Sequence, residues 1–445
     1  MSLPDKQRRG RVFLGVTEVA GFYMGLYRGL KEAGCPVVYA CNVWASKPPA
    51  AHREIVREQP WPARLYLRTG AWDARVPKQR RFLKLLARVA NYLSRLPLFI
   101  HALATCRVFV FGFAKPIFHH CELVLLRLLG KKIIHVFHGS DNRPPYLDGT
   151  LIYNGQPDVP GRLRRRTRKI CSHVKWIERW GHYSISLAQT VHYHRRPVLD
   201  LLGSTGLSVN SPTVDSVPTT GPHRMLVLHA PSNPVAKGTE RIRAMVRHLQ
   251  AKGHDLIFEE VIGCSQDEVL RKLQGCDFVV DACYSETPMS GFATEAAHFG
   301  KPAVVGGYAV EHVRRISAQN GIPAATYCRP EEMETMMERL LTDEAFRLEC
   351  GRLASRFVRE HWSARGVAER FLRIMDDDIP AEWWFDPATL DYVEGGCLDA
   401  PQAAEWVRKF AEAWGAEALG LDHSPRTRAA MLASAGLNSE GVVPA

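Results

Sequence analysis

A lysine and a glycine stand between an apolar run and a helical one in His229-Ala230-Pro231-Ser232-Asn233-Pro234-Val235-Ala236-Lys237-Gly238-Thr239. A strand ending at His229, a loop carrying Lys237 and a helix opening after Gly238 would set an ammonium beside a helix N-terminus. Its unpaired N–H groups and positive dipole end suit a phosphate. The spacing is not that of a Walker A loop. The plainer reading is a solvated lysine before an N-cap Thr239. A second group is Gly291-Phe292-Ala293-Thr294-Glu295, followed by Gly300-Lys301-Pro302 and the run Ala303-Val304-Val305. Gly291 opens a helix, and a carboxylate one turn in can accept both hydroxyls of a ribose. It can equally be an acid in the first turn that answers the helix dipole. A third group, His138-Gly139-Ser140-Asp141-Asn142-Arg143, follows an apolar run and would bring polar groups to a strand end. Asp141 capping a turn, with His138 satisfied by backbone, is the alternative.

The elements that must hold these groups alternate. Val12–Val16 reads as a strand, Val19 to Leu30 as a helix ended by Gly34, and Pro36–Ala40 as a second strand. A long helical stretch from Lys78 to Ala104 follows. Its Phe82, Leu85, Leu86, Val89 and Leu93 lie on one side, with Arg80, Arg81, Lys84, Arg88 and Arg95 around them. Such a helix either packs on a sheet or lies on an anionic leaflet. Strands at 108–111 and 132–137 flank a helix near 119–129. After a basic run at 161–169, residues 203–223 have the Ser/Thr/Pro/Gly composition of a linker. Strands at 225–228, 256–262, 278–282 and 303–305 then alternate with helices. This order predicts two parallel, doubly wound α/β domains, 1–210 and 211–378, with a ligand cleft at the strands' carboxyl ends. A helical C-terminal extension, 379–445, would pack on one of them.

Composition narrows the function classes. The 445 residues are 46% hydrophobic and 23% charged, with mean hydropathy −0.17, which excludes wholesale disorder and a collagen-like chain. No run approaches the roughly 18 apolar residues of a membrane span, and no secretory leader is expected from the opening residues. Eleven dispersed cysteines without a CxxC pair read as free thiols, not as a disulfide or zinc framework. The expectation is a cytoplasmic protein, with a peripheral place on the inner face of the plasma membrane left open. Asp376-Asp377-Asp378 reads as a solvated helix end and not as a metal site. The net charge of +12 is split: residues 1–220 hold 34 Lys and Arg against 13 Asp and Glu, net +21, and the remainder is net −9. No nucleic-acid module accompanies the charge, so no specific nucleic-acid partner is expected.

The blocks HAPS…KGT and GFATEAAHFGKPAV together resemble the nucleotide-sugar half of retaining GT-B glycosyltransferases of the group 1, GT4-like family. The resemblance covers most of 224–376 and extends to the HGSD-x-R loop at 138–143. It implies a GT-B fold, two Rossmann-like domains facing across a cleft. It implies donor binding by Lys237, Gly238, Gly291, Phe292 and Glu295, with Lys237 on the pyrophosphate and Glu295 on the ribose diol. His138 and Asp141 would be catalytic. Gly15 and Arg143 would lie on the acceptor side, Gly15 in the loop after the first strand. The implied partners are a nucleotide diphosphate sugar, as substrate and not cofactor, and a lipid-linked or saccharide acceptor of cell-envelope or exopolysaccharide synthesis. No metal or cofactor is implied. Two other readings share the architecture: a non-catalytic nucleotide-sugar or glycan-binding protein, and a sugar-nucleotide epimerase. The chain departs from the family pattern twice. Asn233-Pro234 stands where a loop arginine is usual. Eight residues before Glu295 stands Thr287 in place of the first glutamate, with Glu286 one position off.

Overall fold

The computed structural model describes residues 10–43, 50–113, 115–118, 120–153, 159–201, 224–313 and 326–441. The expected linker, 203–223, and the boundary at 210 lie outside them. The strands are β1 Arg11–Thr17, β2 Val37–Asn42, β3 Cys106–Gly112, β4 Lys132–Val136, β5 Tyr183–Ser186, β6 Val198–Asp200, β7 Met225–His229, β8 Leu256–Glu260, β9 Phe278–Val280, β10 Ala303–Gly306, β11 Tyr327–Cys328 and β12 Trp384–Phe385. They form two sheets, in the orders β12-β6-β5-β4-β3-β1-β2 and β11-β10-β9-β7-β8. Every pairing is parallel except β12 with β6. The protein is thus an α/β chain with two parallel Rossmann-like sheets. Apolar runs such as Val12-Phe13-Leu14 and Val108-Phe109-Val110-Phe111 suit strands covered on both faces. Leu14 lies between Tyr39 of β2 and Val110 of β3, which fixes the register of the first sheet's middle.

In both sheets the strand order reverses beside the first strand of the half. The switch points lie between β1 and β3 and between β7 and β9, where open parallel sheets take their ligands. The first-sheet switch point corrects one expectation. Gly15 lies inside β1, between Ala40 and Phe111, and not in the loop after it. The turn begins only at Glu18, a buried residue. The Glu18 carboxylate accepts from the backbone N–H groups of Val19, Tyr23 and Met24, at the start of the helix Phe22–Glu32.

The last fifth of the chain, from Ala364 on, returns to the first sheet. The helix Ala364–Met375 packs on the helix Phe22–Glu32 and buries Val367, Ala368 and Phe371 in the first sheet's core. At its end Asp376-Asp377-Asp378 is exposed, as the sequence reading expects, and Asp377 accepts from Lys132 at 2.6 Å and from the Tyr183 hydroxyl at 2.5 Å. Trp383 is buried, β12 adds an antiparallel edge to β6, and the helices Ala400–Trp414 and Pro425–Ser434 join the same core. Within it Phe410 stacks on Tyr146, with centroids 4.7 Å apart.

Candidate functional site

The second sheet's switch point is built by the loop after β7 and the residues after β9. Asn233 accepts from the N–H groups of Val235 and Ala236 and so closes a short helical turn, Pro234–Lys237. The side chain at the position of the missing arginine therefore shapes the loop. Gly238 ends that turn with φ +70, and a Cβ there would lie 2.8 Å from the Cβ of Cys283, so both conformation and space call for glycine. The next helix, Thr239–Ala251, begins at once. Its buried Thr239 bonds His229 through Oγ1 and Nε2, 2.9 Å apart.

This turn aims Lys237 across the sheet end. Its Nζ lies 2.7 Å from Oδ1 of Asp281 and 3.3 Å from Oγ of Ser290. Asp281, only 1% exposed, follows β9 directly and was not singled out by the sequence. An acid at the carboxyl end of a central strand is the signal that could have found it. Ser290 is the N-cap of the helix Gly291–His298 and makes no side-chain capping bond; its hydroxyl donates to Asp281 and its oxygen accepts from Lys237. The first-turn N–H groups are left for another acceptor. The Phe292 side chain packs into the apolar cluster of Leu228, Val279 and Phe299. Its backbone N–H, in the first turn, is the polar part it presents.

Glu295 lies one turn further along and is 7% exposed. Its Oε1 accepts from Nε2 of Gln266 at 2.9 Å. Burial, aided by the charge of Asp281 and opposed by the Gln266 bond, raises its carboxyl to about 7. A buried acid with one amide partner is prepared to accept further hydroxyl donors once ionised.

The first sheet contributes His138, just beyond β4. Its Nε2 lies 2.8 Å from the Tyr23 hydroxyl, and rings of Phe22 and Phe113 pack around it. Burial lowers its imidazole to about 3, so it is neutral at pH 7. The His138 backbone N–H donates to Oδ1 of Asp141 at 2.8 Å. Asp141 Oδ2 has no hydrogen-bond partner among the described residues. Burial raises the Asp141 carboxyl to about 7 against that bond and the charges of Arg143 and Lys115. Asp141 therefore both shapes the turn and keeps a free oxygen.

Arg143 spans the two halves. Its Nε donates to Oε1 of Glu286 at 2.9 Å, Nη2 meets Oε2 of the same carboxylate, and Nη1 lies 3.3 Å from the buried Asp148. Gln189 of the first half also donates to the Glu286 carbonyl at 2.9 Å. Both groups sequence reasoning left in play, Arg143 for an acceptor and Glu286 for the missing glutamate, are thus engaged with each other. The C-terminal extension seals this junction. Gly396 pairs with the chain at Leu147 and Gly149, and Cys397 donates its N–H to the Tyr284 carbonyl at 3.1 Å. A Cβ on Gly396 would meet the Arg143 guanidinium carbon at 2.6 Å. Beside it opens a cavity of about 530 Å³ lined by Tyr153, Val235, Gly238, Tyr284, Cys397 and Gln402, among others. Lys237 and Glu295 are not among its walls. Among the described residues no cluster of His, Cys, Asp and Glu could hold a metal ion.

Comparison with known proteins adds the following. No protein-family model matches the sequence, and no curated protein matches it. Solved structures do. Thermobaculum terrenum O-GlcNAc transferase is 12% identical, with 85% of this chain and 69% of that one covered and a TM-score of 0.46. Anabaena HepE in complex with UDP-glucose is 10% identical, with 82% and 99% covered and a TM-score of 0.44. A Polygonum tinctorium UDP-glucosyltransferase is 12% identical, with 82% and 98% covered and a TM-score of 0.44.

Proposed function

We propose that the protein is a GT-B glycosyltransferase that moves a sugar from a nucleotide diphosphate donor to a lipid-linked or saccharide acceptor. The observation that carries this reading is the group at the ends of β7 and β9. There an ammonium, an uncapped helix start and a buried carboxylate one turn along meet at a sheet switch point. A diphosphate beside Gly291 would take the first-turn N–H groups and the remaining N–H of Lys237. These donors stabilise the charge that grows on the leaving diphosphate. Glu295 would accept the ribose hydroxyls. On the first sheet's side, His138 as a neutral acceptor or donor would orient the sugar or the attacking hydroxyl, held in place by the Asp141 carboxylate that accepts its backbone N–H. Since Arg143 and Glu286 hold each other, they act on the relative placement of the halves. We assign retention of configuration and metal-independence to the reaction, and the strongly basic first half to an anionic acceptor of cell-envelope or exopolysaccharide synthesis.

The test is transfer and hydrolysis across a panel of UDP-, GDP- and ADP-sugars, with products identified. Turnover should fall at least tenfold in Lys237→Ala and Glu295→Ala. Unaltered turnover in both variants overturns the site. Donor binding without turnover would mark a binding protein, and an isomerised free donor an epimerase.

A further inference from the structure

The apolar stripe of the helix Arg81–Thr105 is not in the core. Phe82 is 72% exposed and Leu93 65% exposed, and Leu85, Val89, Leu96 and Ile100 are also exposed. Their spacing keeps all six on one face of the helix. The eighteen steps from Phe82 to Ile100, at about 1.5 Å each, make that face about 27 Å long. Ala87, Ser94, Leu98 and Ala102, on the opposite face, are buried, and so is Phe99 at the edge of the stripe. The helix Trp61–Arg75 packs alongside in the opposite direction, since Asp73 pairs with Lys84 and Thr69 bonds Ser94. It too exposes large rings, Trp61 at 62% and Trp72. Arg68, Arg75, Arg81 and Arg88 are exposed along the same two helices. Between residues 61 and 105 there are nine Lys and Arg and a single acid, Asp73, whose charge Lys84 already answers.

We infer that this helical pair is a docking surface for an anionic lipid bilayer, with the helix Arg81–Thr105 lying in the plane of the interface. A long stripe of leucine-type side chains bordered by arginines, with tryptophans beside it, matches an interfacial helix. An exposed apolar stretch of this extent marks an interaction site. The charge selects the occupant. A second copy would bring two strongly cationic faces together, whereas an anionic leaflet neutralises them. No described helix is long and apolar enough to cross a membrane, so the contact lies on the surface. This inference does not depend on the donor-site reading, because none of its residues belongs to that site.

The experiment is co-sedimentation of the full chain with vesicles of phosphatidylcholine containing 30% phosphatidylglycerol, and with phosphatidylcholine alone. Binding should be at least tenfold stronger to the anionic vesicles and should weaken with salt. The triple variant Phe82→Ser, Leu93→Ser, Leu96→Ser should lose at least tenfold in partitioning with an unchanged melting temperature, because all three positions are exposed. Arg81→Gln and Arg88→Gln should each cost about fivefold. Absence of binding to anionic vesicles overturns the inference. So does binding that the triple variant leaves intact, or a concentration-dependent dimer that the triple variant turns into a monomer.

Discussion

Replacing Arg143 by Met removes the cation that, among the described residues, answers two buried carboxylates. Asp148 is fully buried and Glu286 is 5% exposed, so neither can recover its charge solvation from water. At the separations seen, a charge pair contributes about 4 kcal/mol with an effective dielectric of 20. Breaking a buried pair from one side costs about 3–5 kcal/mol, because the orphaned carboxylate stays buried. For R143M we expect about 4 kcal/mol lost from the transition in which the halves separate. At about 2–4 °C per kcal/mol for units of 150–250 residues, the midpoint falls by about 10 °C. E286Q should cost about half as much, since Asp148 keeps its partner. The double variant should then be little worse than R143M alone, with a coupling energy near 2 kcal/mol. Urea unfolding of the four proteins measures the cycle, and solution scattering measures whether the particle widens when the bond is cut. Additivity within about 0.5 kcal/mol, with no change in radius of gyration, would falsify the idea that this pair holds the halves together.

Titration of Glu295 gives a second expectation. Its folded-state value near 7 lies above the usual carboxylate range, so the folded protein binds the extra proton between about pH 4.5 and 7. Stability should therefore fall as pH rises through that window and level off above it. Donor binding should strengthen over the same window, since only the ionised acid accepts two hydroxyls. Calorimetry with a nucleotide diphosphate sugar, whose diphosphate diester does not titrate there, checks this, and E295Q should flatten the profile. An equally steep profile in E295Q would assign the proton elsewhere. A chain cut after Asp378 loses the buried Trp383, Leu398, Val407, Phe410, Leu421 and Met431. At about 2 kcal/mol each, their loss rivals the whole stability of a domain, about 5–15 kcal/mol. That chain should be insoluble or bind a hydrophobic dye, and a soluble fragment melting at the full-length temperature would refute the account of the extension.

Strands were legible wherever β-branched and aromatic residues cluster, as in Val37-Val38-Tyr39 or Ile133-Ile134, because burial on both faces demands such runs. The helix Trp61–Arg75 was not, since Pro62, Gly70 and alternating arginines blur its period. Periodicity marked the stripe of the helix Arg81–Thr105 and could not say what covers it, for a core and a bilayer ask for the same pattern. Lys237 and Glu295 could be singled out from local spacing and a family resemblance. Asp281, 44 residues beyond Lys237, and the pairing of Arg143 with a residue 143 positions away depend on tertiary placement, which no local pattern carries. The two-residue β12 was invisible for a related reason: its only definition is its partner β6.

The return of the extension to the first sheet has a consequence for how the molecule is made. The half that leaves the ribosome first lacks an edge strand, the helix that covers Phe22–Glu32, and the helices that cover Tyr146, until residues 364–434 have been synthesised. The second sheet, complete once β11 has emerged near residue 328, can assemble before it. Domains commonly fold in the order of synthesis; here the second sheet can close first, while the nascent first half waits with an apolar flank and an open strand edge exposed. It is during synthesis, more than in the finished protein, that this chain most needs chaperone cover.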